Sequence, residues 1–352
     1  MFFKKLELSD APLMAAAIVG ACRVNGWAND LQPRFLGILF KDLLSYDGDF
    51  LTLPPATPEE VVNSLPIHSM LSFPPLCPVN NLYKREELID LMVMTEMLCN
   101  PVPPELAQSI EDWAQKLGIQ NQRLVVARDM AKGATVRAEA DFWRNVLGEP
   151  DMKSPDFPDT LRRYGTRAYG LTEEENLVET ARWEALRECP QGSFGRTLWE
   201  FYKKRSFLFP GTIGGVNTAL AHHDWIHVLS DTDSNGMGEI EVFAFAAASS
   251  VSPAATMAFL GHLSIFQAGF LIHVIKGEQY QGHDLDTPEG PKRVADAIRR
   301  GKACTKDLMI GLDPFAYANE SLEALRVQWN ILPRSADNPR PYSKWDTAPI
   351  PQ

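Results

Sequence analysis

The chain has 352 residues, 45% of them hydrophobic, and its 45 acidic side chains against 34 basic ones leave a net charge of −11. That length and apolar content can supply more than one hydrophobic core. The acidic balance excludes a nucleic-acid binder, which needs a basic face for phosphates, and excludes docking to anionic lipid by charge alone.

Taken in chain order, Lys4 and Lys5 precede a short apolar run, Ala11 to Cys22, but Glu7 and Asp10 intervene and no cleavage pattern follows. An amphipathic helix is expected there, not a signal peptide. Helical periodicity continues at 10–24, 32–46, 85–100, 104–117, 122–132 and 136–147. Between them, Leu53 to Pro78 carries Pro54, Pro55, Pro58, Pro66, Pro74, Pro75 and Pro78, a density that excludes regular helix and central strand. Gly148 to Pro158 reads as the domain boundary. The expected organisation is a helical domain over 1–148, a linker over 149–160, a second helical domain over 161–335 and a Pro-rich tail over 336–352.

In the second half, helices are expected at 172–188, 193–204, 214–230, 239–250, 254–276, 289–301 and 317–328. Few segments alternate with period two, so the fold class is all-α. Val242 to Ile275 contains no Asp, Glu, Lys or Arg and is long enough to span a bilayer. Ser249, Ser250 and Pro253 break it, however, and His262, Gln267 and His273 punctuate it. Two buried helices around an apolar pocket are the preferred reading, with a peripheral lipid-facing surface as the alternative. The tail after Pro333 is expected to lie extended on the surface. Cys22, Cys77, Cys99, Cys189 and Cys304 are scattered without a CxxC pair, as in a reduced cytoplasmic protein.

The first half carries an internal echo. Ile18 to Leu44 reads helix, polar loop (Asn25-Gly26), helix, and Val125 to Leu147 repeats it around Lys132-Gly133. This arrangement resembles the TerB-like helical domain, in which paired helices flank an Asp-Gly loop. Asn25 and Lys132 stand where that Asp would be.

The chemistry concentrates at His223-Asp224-Trp225-Ile226-His227, followed by eleven residues and Glu239. On a helix of about 3.6 residues per turn, His223, Asp224 and His227 lie within about 100° of one another and share a face. Asp231 to Gly238 is a turn-rich break, after which Glu239 opens the next apolar segment and can swing back toward that face. Two imidazoles and two carboxylates make a ligand set for one divalent metal. Zinc is the first choice, and iron(II) or manganese also suit it. Asp231, Asp233, Asn235 and Gly236 also fit the start of a calcium loop, but its final bidentate Glu is replaced by Val242. A His-Asp phosphohydrolase would need a separate upstream histidine, for which only His68 is available besides His222. A zincin would need Glu at Asp224. Two core histidines with a capping Asp complete the alternatives. His222 faces away and is expected beside the site or exposed. No phosphate loop, Cys–His nucleophile or dinucleotide fingerprint is present, and no catalytic residue is assigned.

HDxxH-x11-E is the hallmark of the Coq-four family of ubiquinone biosynthesis, and His223, Asp224, His227 and Glu239 match its fixed positions. The chain resembles that family over about residues 160–335, including Leu186 to Arg196 with Phe201 following, Gly301 to Leu308, and Glu320 to Arg326. Glu241-Val242-Phe243-Ala244 stands where the family carries a Lys-Trp-Phe-Glu-like segment. The resemblance implies a helical, peripherally membrane-associated protein holding zinc at those four residues. Its expected role is oxidative removal of the C1 carboxyl from a polyprenyl hydroxybenzoate, with the prenyl tail in an apolar groove lined from 242–275. A non-catalytic lipid- or quinone-precursor-binding scaffold and a quinone-independent bacterial relative are the alternatives. The implied partners are a prenylated aromatic or lipid ligand and other biosynthetic proteins, and a homo-oligomer is expected. The expected location is cytoplasmic, including the inner face of the membrane.

Overall fold

The computed structural model describes residues 6–67, 79–120, 122–131, 157–165, 170–269, 272–273, 278–279, 282–341 and 343–350. The expected helix at 136–147, the Lys132-Gly133 loop, His68 and most of the 149–160 linker lie outside the described residues. Among those described, the protein is all-α apart from one two-residue antiparallel pair, β1 (Ile272–His273) with β2 (Glu278–Gln279).

The first half contains α1 (Ala11–Cys22), α2 (Leu31–Leu44), α3 (Pro58–Ser64), α4 (Val79–Glu96), α5 (Pro104–Leu117) and α6 (Gln122–Ala131). α5 shows why such segments fold: Leu106, Ile110, Trp113, Ala114 and Leu117 recur at helical spacing and are buried, and Gly118 closes the helix at φ 72°. α3 corrects the expectation that the Pro-rich connection holds no helix. Thr57 and Glu60 form a reciprocal capping box, and Pro58 occupies the first turn, where its missing N–H has no intrahelical partner to lose.

The second half contains α7 (Phe157–Tyr164), α8 (Leu177–Glu184), α9 (Phe194–Arg205), α10 (Thr218–Ser230), α11 (Gly236–Ser249), α12 (Pro253–Leu263), α13 (Gly290–Ala303) and α14 (Leu322–Gln328). α11 is the centre of this half: every residue of it except Glu239 is buried. Its most extensive partner is α13, and it also packs on α10 and α12. The α11–α13 approach depends on Gly301, where a Cβ would lie 2.3 Å from the Phe245 carbonyl oxygen. α13 packs on α2 of the first half. Arg34 of α2 donates to the carbonyl of Asp286 at 3.0 Å, and the side-chain amide of Asn100 donates to the Ala268 carbonyl at 2.5 Å. The buried apolar residues of both halves form one continuous cluster.

One expectation is corrected here. The helix expected over 254–276 ends at Leu263, passes through a π-turn at Ser264–Ala268, and stops at Gly269 with φ 69°. The left-handed glycine turns the chain toward β1. The tail after Pro333 lies without helix or strand and largely on the surface, as expected, but it is tied down: Asn338 and Ser343 are buried, and Arg334 donates to the Asp231 carbonyl and to Glu241. No helix among the described residues is long and apolar enough to cross a membrane. Val242–Ser250 and Ala254–Gly269 are buried as core.

Candidate metal centre

α10 and α11 form a helix–turn–helix that carries all four expected ligands. Asn217 caps α10 by accepting from the Leu220 amide, and Asp231 ends it at φ 53°. Asn235 then caps α11 through the Gly238 amide, so Glu239 falls in the first turn of α11, beside the last two turns of α10. The turn is tight. A Cβ at Gly238 would lie 2.0 Å from the Asp233 carbonyl oxygen, so only glycine allows the turn to lie this close to α11.

The three α10 residues converge as their spacing implies. One ligand atom from each of His223, Asp224 and His227 lies within 4.8 Å of the others. Glu239 reaches both imidazoles: Oε2 is 3.3 Å from His223 Nε2, and Oε1 is 3.3 Å from His227 Nε2. His223 Nε2 is also 3.3 Å from Asp224 Oδ1.

Three of the four candidate ligands, His223, His227 and Asp224, are oriented by a partner behind them. His223 Nδ1 is 2.5 Å from the Leu220 carbonyl, which requires that nitrogen to carry the proton and leaves Nε2 facing the cluster. His227 Nδ1 pairs with the Thr232 hydroxyl at 3.0 Å, and Thr232 is itself held by Ser230 at 3.1 Å. The Tyr202 hydroxyl of α9 donates to Asp224 Oδ2. Phe201 stacks on His227 at 5.7 Å, and Phe243 stacks on His223 at 5.2 Å. On the far side of α10, Trp225 packs against Phe194 at 4.6 Å, Phe315 at 5.1 Å and Trp183 at 5.9 Å. These contacts fix the rotation of the helix and therefore the aim of its ligands.

The electrostatics are those of a site short of positive charge. Burial disfavours a charged His223, but Asp224 and Glu239 outweigh it and push its pKa up to about 9. Burial likewise disfavours ionised Glu239, yet His227 and His223 hold it well below the usual carboxylate range. Burial, and then the Asp224 charge, raise the Tyr202 phenol well above its ordinary value, so it acts as a donor. One atom has no partner: His227 Nε2 is buried without a hydrogen bond, since Glu239 Oε1 lies within ion-pair range but outside hydrogen-bond geometry. Leaving such an atom unsatisfied costs about 1–3 kcal/mol. A divalent ion between the two Nε2 atoms and the two carboxylates fits this donor set and satisfies the orphan.

The calcium reading loses its ligands. Asp233 of the would-be calcium loop pairs with Arg205 at 2.8 Å, and Asp231 Oδ1 faces Arg340 at 3.5 Å, so both carboxylates already have cationic partners. His222 turns away as expected and meets the Leu308 carbonyl at 2.8 Å, and burial lowers its pKa. His262 stacks on Phe243 at 3.5 Å and its Nδ1 meets the Ala258 carbonyl at 2.7 Å, so it is part of the core behind His223. Sequence reasoning missed Tyr202, Thr232 and the Leu220 carbonyl. None carries a motif signal, and Tyr202 reaches Asp224 only through tertiary packing.

No protein-family model matches the chain, and no curated protein does. A solved structure from Nostoc punctiforme PCC 73102, provisionally described as a ubiquinone biosynthesis protein, is similar with a TM-score of 0.33 and 14% identity, covering 69% of this chain and 97% of that one.

Proposed function

We propose that this protein is a divalent-metal protein of ubiquinone or related prenylated-aromatic biosynthesis, acting at C1 of a polyprenyl hydroxybenzoate. The observation that carries the reading is the assembly, in one buried cluster, of the residues of the HDxxH-x11-E motif. Zinc fits the nitrogen and oxygen donors best, with iron(II) or manganese as alternatives. When bound, the ion would supply Lewis-acid stabilisation of a carboxylate or phenolate oxygen.

The protein's own part is to hold and expose that centre. His227 is closed off at 0% side-chain exposure, while His223 and Glu239 retain 13% and 16%. Substrate therefore approaches from the His223–Glu239 side. In the overall reaction the bond from C1 to the carboxyl carbon breaks, carbon dioxide leaves, and one oxygen atom of dioxygen becomes the new hydroxyl. The other oxygen atom leaves as water, using two electrons and two protons from an external reductant. Zinc has no redox chemistry of its own, so with zinc the electrons pass through the substrate.

A second reading has its own support. Val242–Ser250 and Ala254–Gly269 are packed as core. A structural metal in a non-catalytic scaffold that binds lipid or quinone precursors accords with that closure. Carboxyl-labelled polyprenyl hydroxybenzoate, offered to metal-loaded protein with dioxygen and a reductant, separates the two. Labelled carbon dioxide released by wild type and reduced at least about a hundredfold in His227→Ala is expected. Binding of the substrate without release favours the scaffold.

A further inference from the structure

The Asp224 carboxylate is asymmetric in its surroundings. Oδ1 faces His223 Nε2 at 3.3 Å, inside the cluster. Oδ2 points the other way and accepts the hydrogen bond of the Tyr202 hydroxyl, which is wholly buried between α9 and α10. Tyr202 is itself held firmly. Its ring stacks on Phe209 at 5.1 Å and 10°, Trp183 lies 5.4 Å away, and Phe207 packs edge-on at 5.8 Å. The hydroxyl therefore cannot swing off Oδ2 without moving three aromatic neighbours.

We infer that Tyr202 is a positioning residue that confines Asp224 to one metal-facing oxygen, Oδ1, and so holds down the coordination number of the centre. The inference rests on the metal reading above. A carboxylate free to rotate can close both oxygens on an ion and raise its coordination number. One whose second oxygen is held by a buried phenol cannot, without giving up that hydrogen bond. With Asp224 limited to one oxygen, the protein's ligands favour a low-coordinate, zinc-like geometry over the oxygen-rich shells of calcium or manganese. No sequence motif carries this constraint, because Tyr202 lies 22 residues from Asp224 and on another helix.

Cobalt(II) is the probe, because its visible absorption is intense when four-coordinate and weak when five- or six-coordinate. Wild type is expected to bind one cobalt with an intense spectrum. Tyr202→Phe is expected to bind it about ten- to a hundredfold more weakly, with the absorption weakened toward the higher-coordinate form. Trp199→Leu disturbs packing on the same helix, where the indole is buried against Arg196 and Lys203 and away from the four candidate ligands, leaves the Tyr202–Asp224 bond, and is expected to keep the wild-type intensity. Should Tyr202→Phe fail to fold, the infrared difference spectrum of wild type on metal addition, with carbon-13 aspartate, reads the same quantity. A wide carboxylate splitting marks one-oxygen binding, and a narrow one marks two. A Tyr202→Phe spectrum identical to wild type, a Trp199→Leu spectrum weakened equally, or a narrow splitting overturns the Tyr202 inference alone. Wild type that takes up no cobalt overturns the metal reading and this inference with it.

Discussion

Glu241→Ala is expected to destabilise the folded protein by about 3–5 kcal/mol, the usual loss when one member of a buried ion cluster is removed. Glu241 has 0% side-chain exposure and lies between two guanidinium groups, Arg293 at 2.5 Å and Arg334 at 2.9 Å, which are 12% and 7% exposed. Removing the carboxylate leaves two largely buried cations without the counter-charge that bridges them. Glu241→Gln keeps the shape and two polar atoms and should lose less. The damage should reach the metal centre. Arg334 also holds the Asp231 carbonyl at 3.1 Å, so it clamps the turn between the two ligand-bearing helices. Urea denaturation of wild type and both variants measures the effect. A loss under about 1 kcal/mol for Glu241→Ala would show that the cluster is solvated or that the tail does not close on it.

The second large effect is on pH. With its pKa raised from 6.5 to about 9, His223 carries a proton at neutral pH in the metal-free protein. A metal must displace that proton from Nε2, so apparent affinity should rise about tenfold per pH unit, or about a hundredfold from pH 6 to pH 8. Stability without metal should run the other way. A group whose folded pKa is raised contributes fully below its unfolded value, and that contribution is lost as pH climbs through the folded value. The metal-free protein should therefore weaken between about pH 6.5 and about pH 9 on account of His223. Glu239, held low, contributes above the usual carboxylate range and loses that contribution on acidification. Opposite pH slopes of melting temperature with and without metal are the expected signature. Metal affinity independent of pH across this range would mean that His223 is already neutral, or is not a ligand.

How much of this was legible in the sequence follows from where each interaction originates. The clustering of the candidate residues was legible because all four come from two consecutive helices, and helix geometry alone puts His223, Asp224 and His227 on one face. The turn was legible from its composition. The all-α class followed from periodicity, and α5 shows that periodicity translated directly into burial. What the sequence did not reveal depends on distant pieces of chain. Tyr202 meets Asp224 only once α9 docks. Arg334 meets Glu241 across 93 residues. The segment 254–276 failed as one helix because its uncharged composition masks a stop at Gly269. α3 was excluded by a proline count that ignored Pro58 at the first helical turn, the one place where proline is well tolerated.

The central claim is that His223, Asp224, His227 and Glu239 hold a metal. Its most direct test is elemental mass spectrometry on purified wild type and on the His223→Ala/His227→Ala double variant. Wild type is expected to carry about one equivalent of zinc, iron or manganese per chain, and the double variant less than about a tenth of that. No metal in wild type even after reconstitution, or equal metal in both proteins, would contradict the account.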